Sequence, residues 1–151
     1  KVSNDDVVVE NPKITDLQVK LLNDNIISPD QDISFEISYD VNEDIETYIA
    51  FSLTDIDRGI WIYNDNSMDN KTSGSGRKTL TYKCSLAHLN NIKLKLQVSV
   101  RDNDDQMIAF ADSDNSPVIL LNRTDIEDDD KSAKDSATGM VQRNGKWEIQ
   151  E

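Results

Sequence analysis

The sequence predicts an all-β protein, an immunoglobulin-like (Greek-key) β-sandwich of seven to eight strands plus a C-terminal strand. Three observations carry that expectation. Apolar residues alternate with polar ones at a period of two in several stretches, as half-buried strands require. Clusters of Asn, Asp, Ser and Gly separate the stretches and supply the local hydrogen bonds that turns use. No stretch shows a convincing helical period.

Taken in order, residues 13–22 read as a first strand, followed by turn residues Asn23, Asp24, Asn25, Ser28, Pro29 and Asp30. The clearest strand comes next: Ile33, Phe35, Ile37, Tyr39 and Val41 alternate with Asp32, Ser34, Glu36, Ser38 and Asp40. Weaker strands are expected over residues 46–54 and 59–63, with the Asp-rich turn 55–59 between them. Residues 64–77 read as an unstructured Ser, Gly and Asn loop. Leu80, Tyr82, Cys84 and Leu86 share one parity, as do Ile92, Leu94, Leu96, Val98 and Val100. Two short strands, 106–111 and 117–121, complete a sandwich assigned to residues 1–123. An acidic polar linker over 124–138 contains Asp128, Asp129 and Asp130 and almost no apolar residue. Residues 139–151 form the C-terminal strand, whose Met140, Val141, Trp147 and Ile149 must dock on a sandwich, either their own or one exchanged between subunits.

The totals bound the function. At 151 residues the chain is one domain long, and 36% hydrophobic content is lean but patterned enough to fold. A net charge of −13, from 29 acidic and 16 basic residues, repels phosphate backbones and anionic headgroups. Nucleic acid and membrane surfaces are therefore poor partners. The first residues have no apolar signal-peptide core and the chain does not begin with Met, which suggests a fragment of a longer protein. Cys84 is the single cysteine, so an internal disulfide and a thiolate metal cluster are excluded, and a reducing compartment fits. The triplets beginning at Asn70 and Asn122 have glycosylation spacing but carry no weight, since such triplets arise by chance.

No catalytic constellation stands out. Gly74, Ser75, Gly76, Arg77, Lys78 and Thr79 lack the spacing of a phosphate-binding loop and precede a strand, so they read as a loop. Calcium-loop counting from Asp102 or Asp112 puts Ser113 or Arg123 where a bidentate Glu belongs, and turn chemistry accounts for the Asp clusters. His88 is the one histidine, and Cys84 falls on a core parity. Carboxylate pairs abound, but nothing selects one of them, so the chain reads as no enzyme and needs no metal or cofactor.

The polar side of the strands is more informative. With the apolar parity facing the core, Gln97, Ser99 and Arg101 share the outer face of one sheet, beside strands 46–54 and 59–63. Tyr48, Ser52, Trp61 and Tyr63 then point the same way. Rings can cover the C–H face of a sugar while Gln, Ser and Arg meet its hydroxyl or anionic groups. The competing reading buries Trp61 and Tyr48 in the core with Ile60 and Ile62 outside, because parity in a short strand slips easily.

The order of features resembles the C-terminal domain of Wzt, the nucleotide-binding subunit of ABC transporters that export O-antigen polysaccharide. The resemblance rests on the first strand 14–22, on Ser28 through Tyr39 as a turn leading into an alternating strand, and on Ala50-Phe51-Ser52-Leu53-Thr54-Asp55 followed by Gly59-Ile60-Trp61-Ile62-Tyr63. Gly139, Met140, Val141, Trp147 and Glu148 match the closing strand. The resemblance implies a carbohydrate-binding module that recognises the capped non-reducing end of a finished polysaccharide in the bacterial cytoplasm, peripheral to the inner membrane. The implied partners are the polysaccharide terminus, a second copy in a strand-exchanged homodimer, and the transporter's transmembrane subunit through an ATPase domain preceding Lys1. Caps in that family include anionic groups, which makes Arg101 the candidate cationic anchor and Arg58 the second. The alternative is a structural or adhesive immunoglobulin-like module that binds protein.

Overall fold

Alternation at period two gives each strand an apolar and a polar face, and two sheets bury their apolar faces against each other. The computed structural model describes residues 11–111 and 113–150. Its strands are β1 (Ile14–Leu21), β2 (Ile26–Ile27), β3 (Ile33–Val41), β4 (Glu46–Asp55), β5 (Ile60–Asn66), β6 (Thr72–Ser73), β7 (Gly76–Cys84), β8 (Ile92–Asp102), β9 (Met107–Phe110) and β10 (Val118–Leu121), followed by one short helix, α1 (Lys131–Ser136). The smaller sheet runs β1-β3-β7. The larger runs β2-β10-β8-β4-β5, with β6 pairing β4 and β9 pairing β8. Every pairing is antiparallel except that of β2 with β10.

The core follows the sequence parity. Ile33, Phe35, Ile37, Tyr39 and Val41 of β3 face Ile49, Phe51 and Leu53 of β4 and Leu94, Leu96, Val98 and Val100 of β8. Phe35 meets Phe51 edge-on at 5.0 Å, and Tyr82 of β7 and Tyr63 of β5 extend the aromatic cluster toward one open side of the sandwich. There the Tyr63 and Tyr82 hydroxyls lie 2.6 Å apart, and Tyr82 donates to Asp65. These bonds clasp β7 of one sheet to β5 of the other.

Three expectations are corrected. The stretch 64–77 is ordered: β5 runs on to Asn66, a 3-10 turn spans Met68–Asn70, and Gly74, at φ +83°, turns β6 into β7. Within the expected linker, Asp130 accepts a bond from the Ala133 N–H and starts α1, a local cap that no apolar period announces. Residues 139–149 form no strand, and a single bridge joins Val141 to Leu89. Asn90, fully buried, donates its amide to the carbonyls of Gly139 and Val141, and Gln142 bonds to His88 and Leu89. Residues 139–142 are thus held at Leu89 and Asn90, and Trp147 and Ile149 beyond them are 98% and 88% exposed.

Candidate functional site

Strands β5, β4, β8 and β9 lie side by side, and their outward residues make a floor with raised rims. Small residues occupy the middle: Ala50 and Ser52 on β4 pair with Ser99 and Gln97 on β8. Larger ones stand at the sides, with Trp61 and Met68 on one and Met107 and Phe110 on the other, all exposed. The difference in side-chain size opens a groove of about 420 Å³, to which Asn64 and Asn66 add amides.

Two β-bulges create the rims. Along β4 and β5, Leu53 pairs with Tyr63 but Thr54 pairs with Trp61, so Ile62 is an extra residue. Parity inverts across it: Trp61 turns outward, 73% exposed, while Tyr63 turns inward and stacks on Phe51 at 6.1 Å. On the other side Val100 pairs with Ala109 and Arg101 with Met107, leaving Ile108 as the extra residue. That bulge brings Met107 and Phe110, three positions apart, onto one face. Both inserted isoleucines pack against the core.

One end of the groove is closed by polar contacts. Tyr48 is buried yet stands outside the apolar core cluster; its hydroxyl donates to Asp105 Oδ1 at 2.8 Å, and Lys71 Nζ lies 5.7 Å from its ring centroid. Burial, then the Asp105 bond and charge, raise the hydroxyl's pKa against an opposing effect of Arg101, so it remains a proton donor. Arg101 Nε donates to Ser99 Oγ at 3.4 Å, and the guanidinium has no carboxylate at salt-bridge distance among the described residues. Farther along, Thr54 Oγ1 donates to Gln97 Oε1 at 3.1 Å, which leaves the Gln97 N–H groups for a ligand.

Tyr48, Ser52, Trp61, Gln97, Ser99 and Arg101 are thus brought together, and two other candidates are not. Tyr63 is removed by the Ile62 bulge. Arg58 sits in the turn after β4 and bonds to the buried Asp55 at 2.7 Å, outside the groove. Sequence reasoning misses Asn64, Asn66 and Met68, because the strand expected over 59–63 continues to Asn66, and misses Met107 and Phe110, whose spacing fits neither face of an unbulged strand. A Met and a Phe flanking Ile108 and Ala109 in so short a strand were the available signal.

The groove offers amides, hydroxyls, one guanidinium and aromatic rims. Cys84, on β7 of the smaller sheet, lies outside it, and burial, then the charges of Asp32 and Asp65, push its half-buried thiol up to about 11.

No protein-family model and no curated protein matches the sequence. Among solved structures, the chain is similar to the C-terminal domain of Wzt, with a TM-score of 0.58 over 93% of this chain and 86% of that one at 12% identity. The likeness shows a shared fold, and the resemblance read from strand order holds in three dimensions. The chain is also similar to a CARDB domain from Pyrococcus furiosus, solved in complex with di-metal ions, with a TM-score of 0.45 over 74% of this chain and 96% of that one at 11% identity.

Proposed function

We propose that this domain is a non-enzymatic carbohydrate-binding module that recognises the capped non-reducing end of an O-antigen polysaccharide for export by an ABC transporter. The observation that carries the reading is the groove: small residues on its floor, Trp61 and Phe110 on opposite rims, and amides with Arg101 between them. Apolar ring faces suit the C–H faces of sugars, and clustered amide and hydroxyl groups suit their hydroxyls. The fold shared with the C-terminal domain of Wzt supports the same reading.

The closed end, where Arg101 stands beside Tyr48, is the natural seat for a terminal cap, and in a chain of net charge −13 a guanidinium with no carboxylate at salt-bridge distance among the described residues favours an anionic one. The proposed setting is cytoplasmic and peripheral to the inner membrane, through an ATPase domain and the transporter's transmembrane subunit. A homodimer that exchanges its final segment belongs to the proposal, and the exposure of Trp147 and Ile149 supports it.

Calorimetric titration with purified capped O-polysaccharide, and with the same material after the cap is removed, tests the assignment. Binding that depends on the cap is expected. Equal binding of both preparations would remove the terminus from the proposal, and no binding of either would favour a module that binds protein.

A further inference from the structure

Charge is segregated between the two faces of the sandwich. On the smaller sheet, exposed cations are opposed by carboxylates: Arg77 lies 2.9 Å from Asp16 and 3.4 Å from Asp40, and Lys83 lies 3.6 Å from Asp32. The outer face of the larger sheet is different. Strand β8 presents Lys93, Lys95, Gln97, Ser99 and Arg101 in one outward row, and none of its three cations has an ion-pair partner among the described residues. At the outward positions of β4, β5, β9 and β10 the described residues include one carboxylate, Glu46 at the first position of β4. Asp105, bonded to Tyr48, and Asp65 stand at the groove, but no carboxylate occupies an outward position of β4 or β10 beside Lys93, Lys95 and Gln97.

We infer that the binding surface continues from the groove along β8 to Lys95 and Lys93, and that its ligand is an acidic glycan carrying carboxylate or phosphate groups along its length as well as at its end. At about 3.3 Å per residue, Lys95 lies roughly 20 Å and Lys93 roughly 26 Å along the strand from Arg101. One sugar residue cannot bridge that span, so the lysines meet units further along the chain. The row also fixes a direction: the terminus sits at the closed end by Arg101, and the chain leaves past Trp61 toward Lys93. A neutral ligand would give these lysines no counter-charge, whereas a polyanion satisfies them. This inference rests on the groove being a glycan site.

The test uses mannuronate oligomers, a disaccharide and an octasaccharide, together with their carboxyl-reduced neutral counterparts, titrated into the wild-type chain and a K93Q/K95Q double variant. Thermal unfolding of the variant should match wild type, since both lysines point away from the core. The acidic octasaccharide should bind more tightly than its neutral counterpart, the advantage should shrink as salt rises, and the double variant should lose about tenfold for the octasaccharide only. An acidic octasaccharide that binds no better than the neutral one, including no binding by either, overturns the track, as does an unchanged double variant. A single-stranded oligonucleotide that binds more tightly than the octasaccharide would overturn it in favour of a nucleic-acid surface. Loss of the track leaves cap-dependent binding of O-polysaccharide untouched, so the two readings fail separately.

Discussion

Trp61 and Tyr63 stand two positions apart, and the extra residue between them sends their rings to opposite faces. Their substitutions should therefore separate binding from folding. Trp61→Ala removes an exposed ring and should weaken glycan binding about tenfold with little change in unfolding temperature. Tyr63→Ala removes a ring stacked on Phe51 and a hydroxyl bonded to Tyr82, and should destabilise the fold by about 2 to 4 kcal/mol. Paired calorimetry and thermal unfolding measure both. A Trp61→Ala chain that unfolds as readily as Tyr63→Ala would place Trp61 in the core after all.

At the scale of elements, the turn joining β4 to β5 depends on one carboxylate. Asp55 is fully buried and accepts the N–H groups of Asp57 and Arg58 and the Arg58 guanidinium. Burial alone would raise its pKa; the Arg58 bonds outweigh burial and hold the carboxyl below its ordinary value of 3.8. A group depressed in the folded state contributes stability that is fully present above its unfolded pKa and is lost as pH falls through the folded one. Denaturant unfolding between pH 7 and pH 2 should thus show an acid loss that is smaller in Asp55→Asn. The same variant should be weaker at pH 7 by about 1 to 3 kcal/mol, because a charged acceptor of three bonds is replaced. Identical pH profiles for the two chains would contradict this role.

The elements also show what a sequence can disclose. In β3 and β8, long unbroken alternation left one arrangement, so the core and the outward row of Gln97, Ser99 and Arg101 were legible. The edge strands were not, because a bulge inserts a residue without any local composition to mark it. Ile62 and Ile108 look like ordinary strand residues, yet they decide that Tyr63 leaves the groove and that Met107 and Phe110 join it. Helix α1 escaped for a related reason: it is fixed by an Asp130 cap and buries no residue, so no apolar period could betray it.

At the scale of the molecule, the C-terminal segment divides in two. Residues 139–142 are held by Asn90, whose side-chain oxygen also accepts a bond from Arg123 at 2.8 Å, while Trp147 and Ile149 beyond are exposed among the described residues. Burying Trp147 and Ile149 against a second copy would gain about 1.5 to 3 kcal/mol for each side chain. Light scattering should find the whole chain dimeric at micromolar concentration, and a chain ending at Thr138 monomeric. A monomeric whole chain, or a truncated chain that stays dimeric, would refute exchange of this segment.

The central claim is that a glycan occupies the groove on the outer face of the larger sheet. Amide chemical-shift mapping during titration with an oligosaccharide carrying the native cap tests it most directly. The shifts should cluster on Tyr48 to Thr54, Trp61 to Asn66, Lys95 to Arg101 and Met107 to Phe110, and spare β1, β3 and β7. Shifts centred on the smaller sheet, or none at saturating ligand, would contradict it.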